Sequence, residues 1–211
     1  MIWWKEWRET RFGFLTTLFF MTGLYASMPI RRMPEEEYWI GTFLTFLGVG
    51  IAIVMGSSAL APEVGSETIR FLLSKPVGKI KYLIAKYIVR GAEVLCLVAI
   101  PVGFMTMNDW DGHRNWMWCP PYLSAQDMIG IVVLVVFIFS AAFFFSVLFR
   151  RQALSALSAI ALLAAYLLWR GVGAFRKAYY LETLETDILI LILFIAGIFA
   201  ASLIAFRVRE F

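Results

Sequence analysis

The chain has 211 residues, of which 61% are hydrophobic and only 16% are charged. About a quarter of the residues of a soluble domain are usually charged, so this composition, with a mean hydropathy of +0.78, argues against an ordinary soluble fold. The formal net charge of +4 comes from basic residues clustered at the ends of apolar runs. That pattern reports membrane topology and gives no support to nucleic-acid binding. We therefore expect an all-α integral membrane protein.

The N-terminal segment MIWWKEWRETR mixes charged residues with three tryptophans. Trp3, Trp4 and Trp7 recur at helical spacing, with Lys5 and Arg8 among the residues on the other side. Such a helix lies in the membrane interface, with its rings at headgroup depth and its charges toward water. We predict an interfacial helix ahead of the first span.

Six apolar runs follow, each about long enough to cross a hydrocarbon core of about 30 Å as a helix. The fifth run is the shortest. The sequence predicts one transmembrane domain over residues 1–211, with six helical spans at approximately 12–29, 39–60, 87–107, 128–149, 153–169 and 188–206.

The positions of the basic residues predict the orientation of these spans. If both termini are cytoplasmic, most of the 19 basic residues fall on the cytoplasmic side, and an excess of Lys and Arg marks that side of a membrane protein. The cytoplasmic set is Lys5, Arg8, Arg11, Arg70, Lys75, Lys79, Lys81, Lys86, Arg90, Arg150, Arg151, Arg207 and Arg209.

The second span carries small residues at regular spacing. Gly48, Ala52 and Gly56 stand at i, i+4 and i+8, which lets another helix approach closely. Packing within the chain is the favoured interpretation, and a subunit interface is the alternative.

The chain offers little for catalysis. Its one histidine, His113, shares an outer loop with Cys119, but the loop is better explained as a Trp- and Met-rich interfacial segment than as a metal site. No phosphate-binding G-x-x-x-x-G-K-[ST] motif is present. We therefore expect no enzyme, cofactor or metal site in this chain. Glu93, an ionisable residue inside the third span, is expected to pair with Arg90 at i, i+3.

A polar stretch, PEVGSETIRFLLSKPVGKIKYLIAK, separates the second and third spans. Pro62 suits a helix start, and Pro76 prevents the helix from continuing. Between them, Leu72 and Leu73 lie on a different face from the polar residues. The pattern predicts a cytoplasmic helix at approximately residues 63–74, whose polar stripe is Glu63, Glu67, Arg70 and Ser74.

This stretch resembles the signature of type-2 ABC transporter membrane subunits. In that signature an acidic residue precedes a Gly-Thr, then a Leu-Leu-Ser-x-Pro-Val run and a lysine that leads into the third span. Glu67 stands where the pattern usually has glycine. The interfacial N-terminal helix, the six spans and the basic C-terminal RVREF fit the same plan. The matching residues are Glu63, Thr68, Leu72, Leu73, Ser74, Pro76, Val77 and Lys86.

The resemblance implies that the segment is a coupling helix, which docks into a groove of a separate ATP-binding subunit. That subunit would bind ATP and Mg, and two membrane subunits would pair, as a homodimer or a heterodimer. We expect the permease subunit of an ABC exporter in a prokaryotic inner membrane. A non-transporting assembly or mechanotransmission module driven by the same type of ATPase is the alternative. The implied contact residues are Glu63, Glu67, Thr68, Arg70, Phe71, Leu72, Leu73, Ser74, Lys75 and Pro76.

Overall fold

The computed structural model describes residues 2–27, 34–65, 78–110, 125–177 and 184–208. All secondary structure in these ranges is helical. Six helices are long, and the third in chain order is short. The helices are α1 (Ile2–Ser27), α2 (Pro34–Ser57), α3 (Ala61–Gly65), α4 (Lys79–Trp110), α5 (Ala125–Leu148), α6 (Gln152–Lys177) and α7 (Leu184–Val208).

Three stretches of the described residues are helical, long and apolar enough to cross a membrane: Phe46–Val64, Ile129–Leu148 and Ile188–Val208. They overlap the predicted second, fourth and sixth spans. A shorter apolar helix, Gln152–Leu168, coincides with the predicted fifth span. The expectation of an all-helical membrane protein is therefore confirmed, and the count of six spans stays a prediction.

The N-terminal segment and the first apolar run form one helix. We predicted an interfacial helix followed by a separate span, but α1 continues without a break from Ile2 to Ser27. The segment contains no proline to interrupt it. The hydroxyls of Thr16 and Thr17 each donate a 2.8 Å hydrogen bond to the carbonyl four residues earlier, so these polar groups are satisfied within α1. The predicted boundary near residue 11 is therefore not a break between two helices. It is the point along α1 where the sequence changes from polar and aromatic to apolar.

Helix α5 is the centre of the bundle and packs against α2, α4, α6 and α7. Its sequence is apolar on every side, as expected for a helix surrounded by others. Ile138, Phe139, Ala142 and Phe143 are almost completely buried. Helix α1 lies outside this core and packs chiefly against α4.

Helix α2 approaches α5 closely at Gly56. A Cβ at this position would lie 2.7 Å from the Cβ of Ala142 and 2.8 Å from the carbonyl oxygen of Phe139. Gly48, two turns earlier, faces Val98 and Val135 at ordinary contact distances. Within this chain, the small-residue face of α2 therefore lies against α4 and α5.

The outer surface of the bundle is strongly apolar. Only 11% of the apolar stretch of α7 is buried, and Leu193, Phe194 and Ile204 are more than half exposed. On α1, Phe12 and Phe19 are similarly exposed. An apolar surface of this extent marks a membrane or protein contact rather than a face in water.

Candidate functional site

The predicted coupling segment is described only at its two ends. Helix α3 ends at Gly65, and the next residue that the structure describes is Gly78, just before α4. The described residues show how both ends of the segment are held. Most of the predicted contact residues lie outside them: Glu67, Thr68, Arg70, Phe71, Leu72, Leu73, Ser74, Lys75 and Pro76.

A tight turn connects α2 to α3. The amides of Ser58 and Ala59 donate to the carbonyls of Val54 and Gly56 at 3.0 and 3.2 Å, which closes the C-terminal end of α2. Leu60 is completely buried at this turn. Helix α3 therefore starts from a packed position and has little freedom relative to α2.

A buried ion pair joins α3 to α4. The Lys86 ammonium lies 2.5 Å from Glu63 Oε1 and donates a second hydrogen bond of 2.7 Å to the carbonyl of Ala59. The Tyr82 hydroxyl donates to the other carboxylate oxygen, Glu63 Oε2, at 2.6 Å. We call Ala59, Glu63, Tyr82 and Lys86 the α3–α4 clamp.

The clamp lies largely out of contact with water. The side chain of Lys86 is 4% exposed and that of Glu63 is 22% exposed, so the ammonium depends on its protein partners for compensation of its charge. A buried charge is tolerated when it is paired and hydrogen-bonded, whereas removing one partner costs about 3–5 kcal/mol. The clamp therefore holds α3 against the first turns of α4.

The sequence predicts only part of the clamp. The family resemblance places Glu63 among the contacts with an ATP-binding subunit, whereas the structure pairs its carboxylate with α4. Lys86 is expected as a match to the family pattern and as a cytoplasmic basic residue, and no role is predicted for Tyr82 or Ala59. The available signal was the i, i+4 spacing of Tyr82 and Lys86, which places two polar groups on one face of an apolar helix.

A second polar cluster joins α1 to α4 farther along. The predicted pair is present, with Arg90 Nη1 3.4 Å from Glu93 Oε2. The Thr10 hydroxyl donates to Glu93 Oε1, a contact that the sequence did not predict. Glu93 is only 2% exposed. We call Thr10, Arg90 and Glu93 the α1–α4 junction.

An aromatic cluster around Tyr87 joins α4 to the core. The Tyr87 and Ser140 hydroxyls lie 2.8 Å apart, which connects α4 to α5. The Tyr87 ring centroid is 5.1 Å from that of Phe143 on α5 and 4.5 Å from that of Phe199 on α7. Helix α4 is thus connected to α1 by the junction and to α5 and α7 by these aromatic contacts.

The two polar clusters consist of contacts between helices. Among the described residues, no group of three His, Cys, Asp or Glu side chains is placed to hold a metal. His113 and Cys119 lie outside the described residues. The buried polar groups of the clamp and the junction are instead used to connect helices.

Comparison with known proteins and protein families identifies the family of the chain. No curated protein and no solved structure matches the chain. The sequence model of a family described as "ABC-2 family transporter protein" matches residues 2–194. This match includes the segment between α3 and α4, the clamp and the junction, and it covers most of the sequence. The chain therefore belongs to the ABC-2 family of transporter proteins.

Proposed function

We propose that the chain is the permease subunit of an ATP-driven exporter, in which a separate ATP-binding subunit acts on the segment between α3 and α4. Membership of the ABC-2 family supports the permease assignment. The observation that carries the coupling proposal is the α3–α4 clamp, which fastens both ends of this segment with a buried ion pair. The ATP-binding subunit would supply the nucleotide and Mg sites.

The proposed mechanism follows from the connections of α4. Because the clamp joins α3 to α4 and a tight turn joins α3 to α2, a partner that displaces residues 66–77 moves α2 and α4 together. The α1–α4 junction then carries the displacement to α1, and Tyr87 carries it to α5 and α7. Packed elements transmit such displacements because close-packed cores resist compression.

The proposed topology has six spans with both termini cytoplasmic, in a prokaryotic inner membrane. The three described membrane-crossing stretches and the cytoplasmic excess of basic residues support it. In this topology the segment between α3 and α4 lies on the same side as a cytoplasmic ATPase. The working transporter would contain two membrane subunits and two ATP-binding subunits. The exposed apolar faces of α6 and α7 are surfaces that lipid and a second membrane subunit could contact.

The double variant Leu72→Glu, Leu73→Glu tests the proposal. We expect it to lose ATP-driven transport at least tenfold, or to fail to assemble with the ATP-binding subunit, because two charges replace the apolar face proposed to enter the partner's groove. The measurement is ATPase activity and vesicle flux of the purified complex, together with co-purification of the ATP-binding subunit.

The matched control is Gln152→Glu, which adds a charge at an exposed position on the same proposed side. This control should keep both activities. Full coupled activity in the double variant would contradict the coupling assignment. ATPase activity that depends on this chain but is never accompanied by flux would instead identify a mechanotransmission module.

A further inference from the structure

Arg90 of the α1–α4 junction and Arg11, which follows the junction residue Thr10, have unused hydrogen-bonding capacity. Arg11 Nε and Arg90 Nε are both buried and have no hydrogen-bond partner among the described residues. A buried donor without a partner is destabilising, and it points to a water, an ion or a ligand that completes the site. The Thr10–Glu93 hydrogen bond brings the two helices together next to both arginines, because Arg11 follows Thr10 and Arg90 pairs with Glu93.

The protein's own acid at this position is fully engaged. One oxygen of Glu93 accepts the Thr10 hydroxyl, and the other faces Arg90 Nη1. Arg11 follows Thr10 directly in the sequence. Its guanidinium lies over the ring of Phe12, at 5.2 Å from the centroid, and forms no ion pair among the described residues. The junction therefore has more guanidinium donors than acceptors.

The chemistry that fits these donors is a phosphate. A guanidinium presents its N–H groups in a planar fork that matches two oxygens of a phosphate, and it loses less hydration than an ammonium does on binding. A phosphodiester also carries a single negative charge, which would balance the arginine that Glu93 does not neutralise.

The surface beside Arg11 favours a lipid over a free phosphate. Phe12, Leu15 and Phe19 are 71%, 51% and 80% exposed, and their spacing places them along one side of α1. This apolar strip starts next to Arg11 and runs toward the C-terminal end of the helix. Trp4, 63% exposed, lies one to two turns before Arg11, where an aromatic ring suits the headgroup region.

We propose that Arg11 and Arg90 bind the phosphate of an anionic phospholipid whose acyl chain lies along the Phe12–Leu15–Phe19 strip. The basic ends of helices on the cytoplasmic side commonly recruit anionic headgroups. Only the assignment to the cytoplasmic leaflet depends on the proposed topology. The bound lipid would stabilise the contact between α1 and α4, because it bridges one arginine from each helix.

Native mass spectrometry of the purified chain tests this site without the ATP-binding subunit, so its result is independent of the transport proposal. The probes are phosphatidylglycerol and phosphatidylcholine at equal concentrations. We expect the wild type to retain phosphatidylglycerol preferentially. Arg11→Gln should reduce this preference roughly fivefold, as expected for one basic residue near an anionic headgroup.

Arg11→Lys and Arg150→Gln are the controls. Lysine keeps the charge but loses the planar fork, so Arg11→Lys should retain more of the preference than Arg11→Gln and less than the wild type. Arg150 is exposed and outside the junction, so Arg150→Gln removes the same charge and should leave the preference unchanged. If Arg11→Gln fails to fold, competition with inorganic phosphate on the wild type decides. Millimolar phosphate should not displace the lipid.

Three results would overturn the proposal. The first is a wild type without preference for phosphatidylglycerol. The second is an equal loss in Arg11→Gln and Arg150→Gln, or no loss in either, because the preference would then not depend on this junction. The third is full displacement by inorganic phosphate, which would assign the arginines to a soluble anion.

Discussion

Replacing Lys86 with methionine is expected to lower the free energy of unfolding by about 3–5 kcal/mol, the usual effect of removing one partner of a buried ion pair. Methionine fills similar space, but it removes the ammonium that pairs with the Glu63 carboxylate and donates to the Ala59 carbonyl. A hydroxyl donor such as Tyr82 cannot replace that positive charge. We also expect loss of ATP-driven transport in the assembled complex, because α3 would no longer be held to α4.

The matched control is Lys81→Met. Lys81 lies on the same helix but is exposed, so its replacement should change stability by less than about 0.5 kcal/mol. The double variant Glu63→Gln, Lys86→Met removes both charges and should recover part of the lost stability. Thermal unfolding in detergent compares the three proteins. Equal midpoints for Lys86→Met and Lys81→Met would contradict the clamp.

Replacing Gly56 with alanine is expected to destabilise the bundle by about 1–3 kcal/mol, the usual effect of overpacking a close contact. The added Cβ would meet the Ala142 side chain at 2.7 Å and the Phe139 carbonyl oxygen at 2.8 Å. One of these is backbone of the central helix α5, so α2 and α5 must move apart. We expect a lower midpoint of thermal unfolding.

Gly50→Ala controls for the intrinsic preference of a helix for alanine over glycine. Gly50 lies on the same helix, and nothing would lie within 4 Å of its added Cβ. This variant should be neutral or slightly stabilising, since alanine favours a helix by up to about 1 kcal/mol. If the Gly56→Ala and Gly50→Ala variants unfold at the same temperature, the result would contradict the close contact between α2 and α5 at Gly56.

Local sequence patterns predicted the features that depend on residues close together in the chain, such as apolar helices and ion pairs within one helix. The apolar runs at 128–149 and 188–206 correspond to α5 and to most of α7. The Arg90–Glu93 pair follows from helical spacing alone. The separation of residues 1–11 from the first span could not be judged this way, since a change from polar to apolar composition does not by itself break a helix.

The contacts between helices could not be predicted from those patterns. Glu63 and Lys86 are 23 residues apart, and Thr10 and Glu93 are 83 apart. Whether such groups meet depends on the rotation of each helix about its axis, which the packing of the whole bundle decides. Glu63 shared a polar stripe with Glu67, so its periodicity indicated an exposed face. In the structure, its carboxylate instead faces α4, where it pairs with Lys86.

The most direct test of the account is photo-crosslinking from position 72 in membranes that contain the chain together with the ATP-binding cassette proteins of its host cell. A photoreactive residue in place of Leu72 should crosslink to the ATP-binding subunit, and the yield should change when ATP is added. The same residue at position 152 is the control and should give no such product. Crosslinks from position 72 only to lipid, or only to other segments of this chain, would contradict the proposal that an ATPase acts on the segment between α3 and α4.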